Sequence, residues 1–121
     1  MRLSNQQLGK LGEDFATKWF IDKGFRLLDR NWRHGRVEID LVVGKDDLVI
    51  FVEVKTRTNS DFGGAVAAIT RKKVNNLTRA ALYWLGKNRY AADGIRIDLL
   101  ALQYDGKDFR VTHIPGISSW V

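Results

Sequence analysis

The sequence predicts a single α+β domain in which a mixed central β-sheet is flanked by helices. Two apolar runs, at residues 37–43 and 48–54, are joined by a short charged turn and predict a β-hairpin. Helical periodicity precedes this hairpin and returns after it, at residues 5–23 and 70–86. The other strand patterns lie at residues 25–33, 94–104 and 108–114. A chain of 121 residues has the length of one domain with one core.

Composition and charge narrow the classes of function. Cysteine is absent, which excludes disulfides and thiolate metal sites and fits a cytoplasmic protein. No apolar run has membrane-spanning length, and residues 1–10 lack the apolar segment of a signal peptide, so no membrane association is expected. The net charge of +6 and the pI of about 9.8 favour nucleic acid as partner, although a surplus of this size also serves solubility alone.

The first helix carries signals at both of its ends. Ser4 or Asn5 can cap its start, and Gly24 can end it in a left-handed turn. Its apolar residues recur at spacings of three, four and four and predict one buried face: Leu8, Leu11, Phe15 and Trp19. Glu13, at the edge of this face, either is a solvated charge or leans over the sheet. The strand at 25–33 alternates imperfectly, which suits an edge strand.

Four charged residues interrupt the apolar hairpin: Glu38, Asp40, Glu53 and Lys55. Side chains alternate between the two faces of a strand. If Val43 pairs with Leu48, position 38 faces position 53 and position 40 faces position 51. All four charged side chains then share one face, with Asp40 diagonal to Glu53. The opposite face is apolar: Ile39, Leu41, Ile50, Val52 and Val54. A one-residue bulge would break this pattern.

Acids at this spacing allow two interpretations. Neighbouring carboxylates repel each other unless a positive group lies between them, and hard oxygen ligands suit a divalent ion such as Mg²⁺. In that case Lys55 could orient a water molecule or stabilise developing negative charge. The other interpretation is a surface ladder of charges balanced by salt bridges. The spacing alone leaves both open.

The second helix is the clearest of the sequence. Its predicted buried stripe is Val74, Leu77, Ala81, Trp84 and Leu85, and Gly86 ends it. Three cations lie in its first turn, where the helix dipole disfavours them: Arg71, Lys72 and Lys73. They form either a solvated face or contacts to an anion. The segment at 56–70, with little periodicity, is expected to border the site and to close over nucleic acid.

The hairpin motif resembles the signature of the PD-(D/E)XK nuclease superfamily, in which an acid on one strand precedes Glu-x-Lys on the next. Here these are Asp40 and Glu53-Val54-Lys55. From about residue 12 to residue 100 the chain is similar to the YraN family, on the motifs Gly12-Glu13, Asn31-Trp32-Arg33, Glu38-Ile39-Asp40-Leu41, Phe51-Val52-Glu53-Val54-Lys55-Thr56-Arg57 and Phe62-Gly63. These small bacterial proteins are predicted endonucleases, similar in fold to archaeal Holliday junction resolvases. The chain departs from both patterns, with Val37 for the family's usual glycine and Ile39 for the signature's proline.

The resemblance implies an αβββαβ restriction-endonuclease-like core and an endonuclease dependent on Mg²⁺ or Mn²⁺. Asp40, Glu53 and the main-chain carbonyl of Val54 would be the metal ligands. Lys55 would position the attacking water, Glu13 would complete the catalytic residues, and Glu38 is a weaker accessory candidate. Six basic residues are expected to contact the nucleic acid: Arg33, Arg36, Arg57, Arg71, Lys72 and Lys73.

Two other functions remain open from the sequence. One is a binding module that keeps the fold and the basic surface without efficient cleavage. The other is a protein-interaction scaffold that uses a sheet edge or Trp120. The resemblance favours DNA over RNA as the partner. Because no sequence-reading element is present, recognition is expected to depend on nucleic-acid shape, which suits structured or branched DNA. A homodimer is expected only by analogy with the resolvases.

Overall fold

The computed structural model describes residues 3–58, 67, 69–91 and 94–120. In chain order the elements are α1 (Asn5–Asp22), β1 (Arg26–His34), β2 (Val37–Lys45), β3 (Leu48–Arg57), α2 (Arg71–Lys87), β4 (Gly94–Tyr104), β5 (Phe109–Ile114) and a 3-10 helix (Ile117–Trp120). The predicted order of one helix, three strands, one helix and two strands is confirmed. The 3-10 helix is an addition that the sequence patterns did not indicate.

The five strands form one mixed sheet in the order β1-β2-β3-β4-β5. β3 and β4 are parallel, and the other neighbouring pairs are antiparallel. α2 lies in the crossover that a parallel pair requires. The architecture confirms the predicted α+β class and is consistent with a restriction-endonuclease-like core, with β1 at an edge as predicted. In the part of the chain that the structure describes, no helix is long and apolar enough to cross a membrane.

The two helices cover opposite faces of the sheet. One core joins the buried residues of α2 to Phe51 and Ile97, and the other joins Ala16 and Phe20 of α1 to Leu41 and neighbouring strand residues. The buried stripe of α2 is Val74, Leu77, Ala80, Ala81 and Trp84. It matches the prediction except that Ala80 joins it and Leu85 is only partly buried.

α1 begins at the predicted cap but buries a different stripe. Ser4 accepts a hydrogen bond from the Gln7 N–H, and the Gln7 side chain accepts one from the Ser4 N–H, forming a capping box. The buried residues recur every four positions: Leu8, Gly12, Ala16 and Phe20. Leu11, part of the predicted face, is 37% exposed. Small residues at the centre of the stripe let the helix approach the sheet closely, and this contact sets the buried face.

The β2–β3 hairpin closes with a tighter turn than predicted. Lys45 pairs with Leu48 and Val43 with Ile50, so the predicted pairing of Val43 with Leu48 is wrong by two residues. Asp46 adopts a φ of 54°, the left-handed conformation that two-residue hairpin turns use and that Asp tolerates. Because side chains alternate with a period of two, a shift of two residues leaves the facing of the side chains unchanged.

The alternation of β2 breaks at Asp40. Leu41 packs in the core under α1, whereas Ile39 packs in the core under α2, so the prediction that they share one face is wrong. Asn31, beside this break on β1, has a φ of 52°. An irregular backbone conformation within a strand re-aims the neighbouring side chains. Asp40 therefore lies at a local irregularity in the sheet, where its direction is not set by simple alternation.

A buried carboxylate ties the far edge of the sheet together. Asp98 on β4 is fully buried and accepts hydrogen bonds from Arg96 at 2.8 and 2.9 Å and from the Gly116 N–H at 3.0 Å. His113 Nε2 on β5 lies 2.7 Å from the same carboxylate. Burial by itself raises the pKa of Asp98, but the hydrogen bonds from His113, Arg96 and Gly116 hold it below its ordinary value.

The two glycines of α1 provide a matched test of its contact with β3. A Cβ at Gly12 would overlap Oγ1 of Thr56, whereas a Cβ at Gly9 would meet nothing within 4 Å. We expect Gly12→Ala to lower the free energy of unfolding by about 1–3 kcal/mol, because overpacking strains the interface. Gly9→Ala should raise it by up to about 1 kcal/mol. Urea unfolding measures both.

The second half of this test is a double variant. Thr56→Ala removes the overlapping hydroxyl, so it should recover part of the loss in Gly12→Ala. Equal effects of the two single glycine substitutions would contradict the close contact between α1 and β3.

Candidate functional site

Asp40 is a buried acid at the end of the β2–β3 ladder. The pairs run from Lys45 with Leu48, at the turn, to Leu41 with Val52. Asp40 is the next residue of β2 beyond this last pair. Its side chain is 7% exposed, and Oδ2 accepts a hydrogen bond of 2.7 Å from the Val54 N–H. The side chain thus satisfies a main-chain donor beyond the last pair of the ladder.

Two further acids gather around Asp40. One carboxylate oxygen each from Glu13, Glu38 and Asp40 lies within 4.8 Å of the others. Among the described residues, this is the group of acidic and histidine side chains close enough to hold a metal ion. Glu13 arrives from α1, so the predicted lean of this residue over the sheet agrees with the structure. Glu53 is outside this group, although the resemblance implied that Glu53 is a ligand and Glu38 only an accessory residue.

Glu53 lies beside two amines. Its Oε1 is 3.8 Å from Nζ of Lys55 and 3.6 Å from Nζ of Lys73. Lys55 belongs to the same strand, and Lys73 reaches across from the first turn of α2. Lys73 therefore brings a positive charge from α2 to the acids of the sheet.

The acids around Asp40 each have a cationic neighbour. Glu13 lies 3.9 Å from Arg30, and Glu38 lies 3.0 Å from Arg33. Together with the lysine pair at Glu53, these contacts balance every acid of the site but one. Within the described ranges, Asp40 takes part in no salt bridge, so its ionised form would lack a cationic partner there.

Burial and neighbouring charges shift the pKa values of three groups of the site. Burial, and next the Glu53 charge, raise the pKa of Asp40 to about 8, against the lowering effect of the Val54 N–H. Burial also raises the pKa of Glu13, although Asn31 and Arg30 oppose this. Burial lowers the pKa of Lys55, while the Glu53 charge acts in the other direction. The site thus disfavours the charged form of two acids and of one amine.

A cavity of about 370 Å³ opens between the hairpin and α2. Its lining includes three acids, Glu38, Asp40 and Glu53, on the sheet side. Three cations line it as well: Arg36, Lys72 and Lys73. A second cavity of about 500 Å³ lies toward α1 and is lined in part by Glu13, Lys55 and Arg57. The two cavities flank the same pair of strand ends.

The predicted nucleic-acid contacts divide into three groups. Arg36, Lys72 and Lys73 line the cavity with the acids, and Arg57 lines the second cavity. Arg33 is paired with Glu38, so part of its charge is already engaged. Arg71 is exposed and lines neither cavity. Of the segment expected to close over nucleic acid, residues 59–66 and 68 lie outside the described residues.

The sequence interpretation missed several polar neighbours of the acids. Thr70 and Asn76 line the main cavity, and Arg30 and Asn31 adjoin Glu13. Asn31 had a usable signal, because asparagine is depleted in strands and tolerates the left-handed conformation. Asn76 had none, since a polar residue on a helix surface is ordinary.

Fold and site define a class: a small α+β domain with a restriction-endonuclease-like core and acids gathered at the end of its central hairpin. The family model described as "Uncharacterised protein family UPF0102" matches residues 12–102. The chain belongs to the UPF0102 family, which confirms the resemblance to YraN proteins.

Curated relatives match the chain over most of its length, and each is named "UPF0102 protein". The protein of Mycolicibacterium gilvum is 40% identical and covers 91% of this chain and 92% of its own length. That of Dictyoglomus turgidum is 37% identical, with 83% and 85% covered. That of Mycobacterium tuberculosis is 36% identical, with 95% and 94% covered. The chain thus spans nearly the whole of these relatives.

The raised pKa of Asp40 predicts a pH dependence of stability in metal-free buffer. Its ordinary value of 3.8 applies to the unfolded chain, and the folded value is about 8. The folded state therefore binds the extra proton between these values, and the associated stability is lost as pH rises through about 8. Between mildly acidic and alkaline pH, the free energy of unfolding of the wild-type protein should therefore fall by roughly 2–4 kcal/mol more than that of Asp40→Asn.

Urea unfolding at several pH values, with a chelator present, measures this effect. Asp46→Asn is the matched control, because Asp46 lies in the exposed hairpin turn and asparagine tolerates its backbone conformation. An identical pH profile for wild type and Asp40→Asn would contradict the assignment.

Proposed function

We propose that this protein is a metal-dependent endonuclease that hydrolyses phosphodiester bonds of nucleic acid. The observation that carries the proposal is the position of Asp40. It is a buried acid without a salt bridge to any described residue, and it lines one cavity with two further acids and three cations. Such a cavity has a wall of oxygen ligands and a wall that attracts phosphate.

The residues fit a divalent metal ion on the chemistry of their donors. The group at Asp40 offers carboxylate oxygens, which Mg²⁺ and Mn²⁺ prefer, and no thiolate or imidazole. We assign Asp40, Glu53 and the Val54 carbonyl as ligands, with Glu13 completing the catalytic residues and Glu38 accessory. When bound, the ion would lower the pKa of a water molecule and polarise the scissile phosphate.

Lys55 is assigned to positioning the attacking water and to stabilising negative charge on the phosphoryl group. It follows Glu53 on the same strand face and is partly buried, which keeps its amine in a defined place. Because burial lowers its pKa, Lys55 gives up its proton more readily than an exposed lysine does. Lys73 shares Glu53 with it and brings a second positive charge to the same point.

The basic wall is assigned to the phosphate backbone. Arg36, Lys72 and Lys73 line the cavity, and Arg57 extends the positive surface on the other side of Lys55. Contacts of this kind give affinity that falls with salt and carry no sequence information. The substrate class proposed is therefore structured or branched DNA, in the cytoplasm, recognised by shape. A homodimer, which would act on two strands, remains a proposal by analogy.

A non-catalytic nucleic-acid-binding module is the alternative. One observation favours it: Glu53 lies within 4 Å of two amines and is absent from the close acidic group. If these contacts persist in the presence of the ion, the two amines compete with it for Glu53 Oε1 and weaken Glu53 as a ligand. Binding without cleavage would then be the function of the same surface.

Metal binding can be tested without any activity assay. We expect Mn²⁺ to raise the melting temperature of the wild-type protein, because an ion that binds only the folded state stabilises it. Asp40→Asn and Glu53→Gln should abolish this shift, and Asp46→Asn should retain it. Loss of the shift in Glu38→Gln with retention in Glu53→Gln would instead assign the site to Glu13, Glu38 and Asp40. An unchanged shift in Asp40→Asn would contradict the proposed centre.

Cleavage is tested on branched, flapped, single-stranded and duplex DNA with Mg²⁺ or Mn²⁺. Asp40→Asn, Glu53→Gln and Lys55→Met should each lower the rate by about 10²-fold or more, as removal of one electrostatic contributor to a transition state does. Lys107→Met is the matched control, because Lys107 lies in the exposed β4–β5 turn. Cleavage that survives both acid substitutions would point to a contaminant, and binding without cleavage would support the module.

A further inference from the structure

Three aromatic rings lie against one another where the end of β1 meets α2. The rings of His34 and Tyr83 have centroids 4.0 Å apart at an angle of 22°, and those of Trp32 and His34 are 6.0 Å apart at 6°. Trp32 and His34 come from the end of β1, and Tyr83 comes from the last turns of α2. We call Trp32, His34 and Tyr83 the ring stack.

The ring stack is only partly covered. Tyr83 is 50% exposed although His34 lies against it, and His34 is exposed as well. Trp32 is partly buried against the core under α2. About half of the Tyr83 side chain thus faces solvent, and β1 and α2 together hold the ring stack in position.

A polar stripe along α2 joins the ring stack to the cavity. Lys72, Asn76, Arg79 and Tyr83 recur at spacings of four, three and four, which places them on one helix face. Lys72 and Asn76 line the cavity with Asp40 and Glu53. The helix rises by roughly 10 Å between Asn76 and Tyr83, which is the length of a few nucleotides.

The cations along this path are unengaged in the described part of the chain. Arg36, Lys72 and Arg79 take part in none of the salt bridges found there, unlike Arg33, which is paired with Glu38. Arg36 lines the cavity two residues after His34, so positive charge borders the path on the β1–β2 side as well. Phosphates would therefore meet cations between the acids and the rings.

Exposed rings next to a row of cations suit a nucleic acid with unpaired bases. In a duplex the faces of the bases are hidden, and phosphate contacts alone need no aromatic side chain. In a single strand each base has a face free for stacking, and such proteins combine a basic track with exposed rings. A nucleic-acid partner with unpaired bases accounts for both features.

We infer that the ring stack binds an unpaired base of the substrate while the stripe on α2 holds the adjoining phosphates. The inference rests on the proposed function in one respect: the polar stripe is taken to lead to the bond that is cut at Asp40. It names the substrate class more closely: nucleic acid with an unpaired segment a few nucleotides from the bond that is cut. A flap or a single strand has such a segment, and an intact duplex has none.

The test measures equilibrium binding with a chelator present, so that no cleavage occurs. Fluorescently labelled single strands of DNA and RNA are compared with a duplex and with a single strand that carries abasic sites in its middle. We expect the wild-type protein to bind the single strand about 10-fold more tightly than the abasic strand of equal charge, from the loss of base stacking. The DNA and RNA arms identify which single strand is preferred.

Leu82 supplies a matched control for Tyr83. It is the preceding residue on the same helix and is 57% exposed. Tyr83→Ala should weaken single-strand binding about 10-fold and abolish the preference over the abasic strand. Leu82→Ala should leave both unchanged, and Tyr83→Phe should retain both. Tyr83→Leu, which keeps an apolar contact but no ring, should behave as Tyr83→Ala, and melting temperatures show whether each variant folds.

The outcomes separate this inference from the nuclease proposal. Equal binding of normal and abasic strands, equal effects of Tyr83→Ala and Leu82→Ala, or tighter binding of the duplex would overturn the inference, whatever cleavage shows. If no nucleic acid binds, both proposals fail, and the exposed rings would instead belong to a protein interface. If the stacking preference is found but no metal-dependent cleavage occurs, the inference stands on the binding module alone.

Discussion

The hydrogen bond of 2.7 Å from the Val54 N–H to Asp40 organises the centre of this protein. A carboxylate that is only 7% exposed is costly unless it is hydrogen-bonded or paired with a cation. An unpaired main-chain donor at the end of a ladder is costly as well. The single contact resolves both problems at the point where the pairing of β2 with β3 ends. It also fixes the acid at the point where the strand ends border two cavities, so every other group of the site is placed relative to it.

The acids around this contact differ from Asp40 in having cationic neighbours. Glu13, Glu38 and Glu53 each lie within 4 Å of an arginine or lysine, whereas Asp40 has hydrogen bonding alone among the described residues. The flanking acids therefore retain much of their solvation or pairing, and the raised pKa of about 8 falls on the buried acid at their centre. A cation that bound in this site would therefore stabilise the ionised form of Asp40 more than that of the flanking acids. A surface ladder of charges, the other interpretation of the sequence, would distribute that effect evenly.

The sequence predicted those features that depend on local periodicity. Element order and the burial of the hairpin follow from strand and helix patterns, and the register error of two residues did no harm because alternation has the same period. Ile39 was assigned to the wrong face, because the break at Asp40 accompanies the left-handed Asn31 on a neighbouring strand. The approach of Glu13 to Asp40 depends on how closely α1 lies to β3, which Gly12 and Thr56 determine. Contacts of this kind are set by tertiary packing, so helix periodicity alone left two alternatives open for Glu13: a solvated charge, or a side chain that leans over the sheet.

The first turn of α2 shows how the two walls of the cavity depend on each other. Three successive cations at a helix N-terminus oppose the helix dipole, at about 0.3–1 kcal/mol each, and Thr70 caps the same turn through the Lys73 N–H. Lys73 offsets this cost by its contact with Glu53, and Lys72 faces the cavity that the acids line. The dipole and the cations thus make the α2 wall positive, while the sheet wall is negative. A cation bound at the sheet wall, as proposed, would neutralise the acids and leave the α2 wall free for a polyanion, so each of the two would favour the binding of the other. Such mutual dependence is expected of the proposed phosphate chemistry, whereas ordinary surface salt bridges would not produce it.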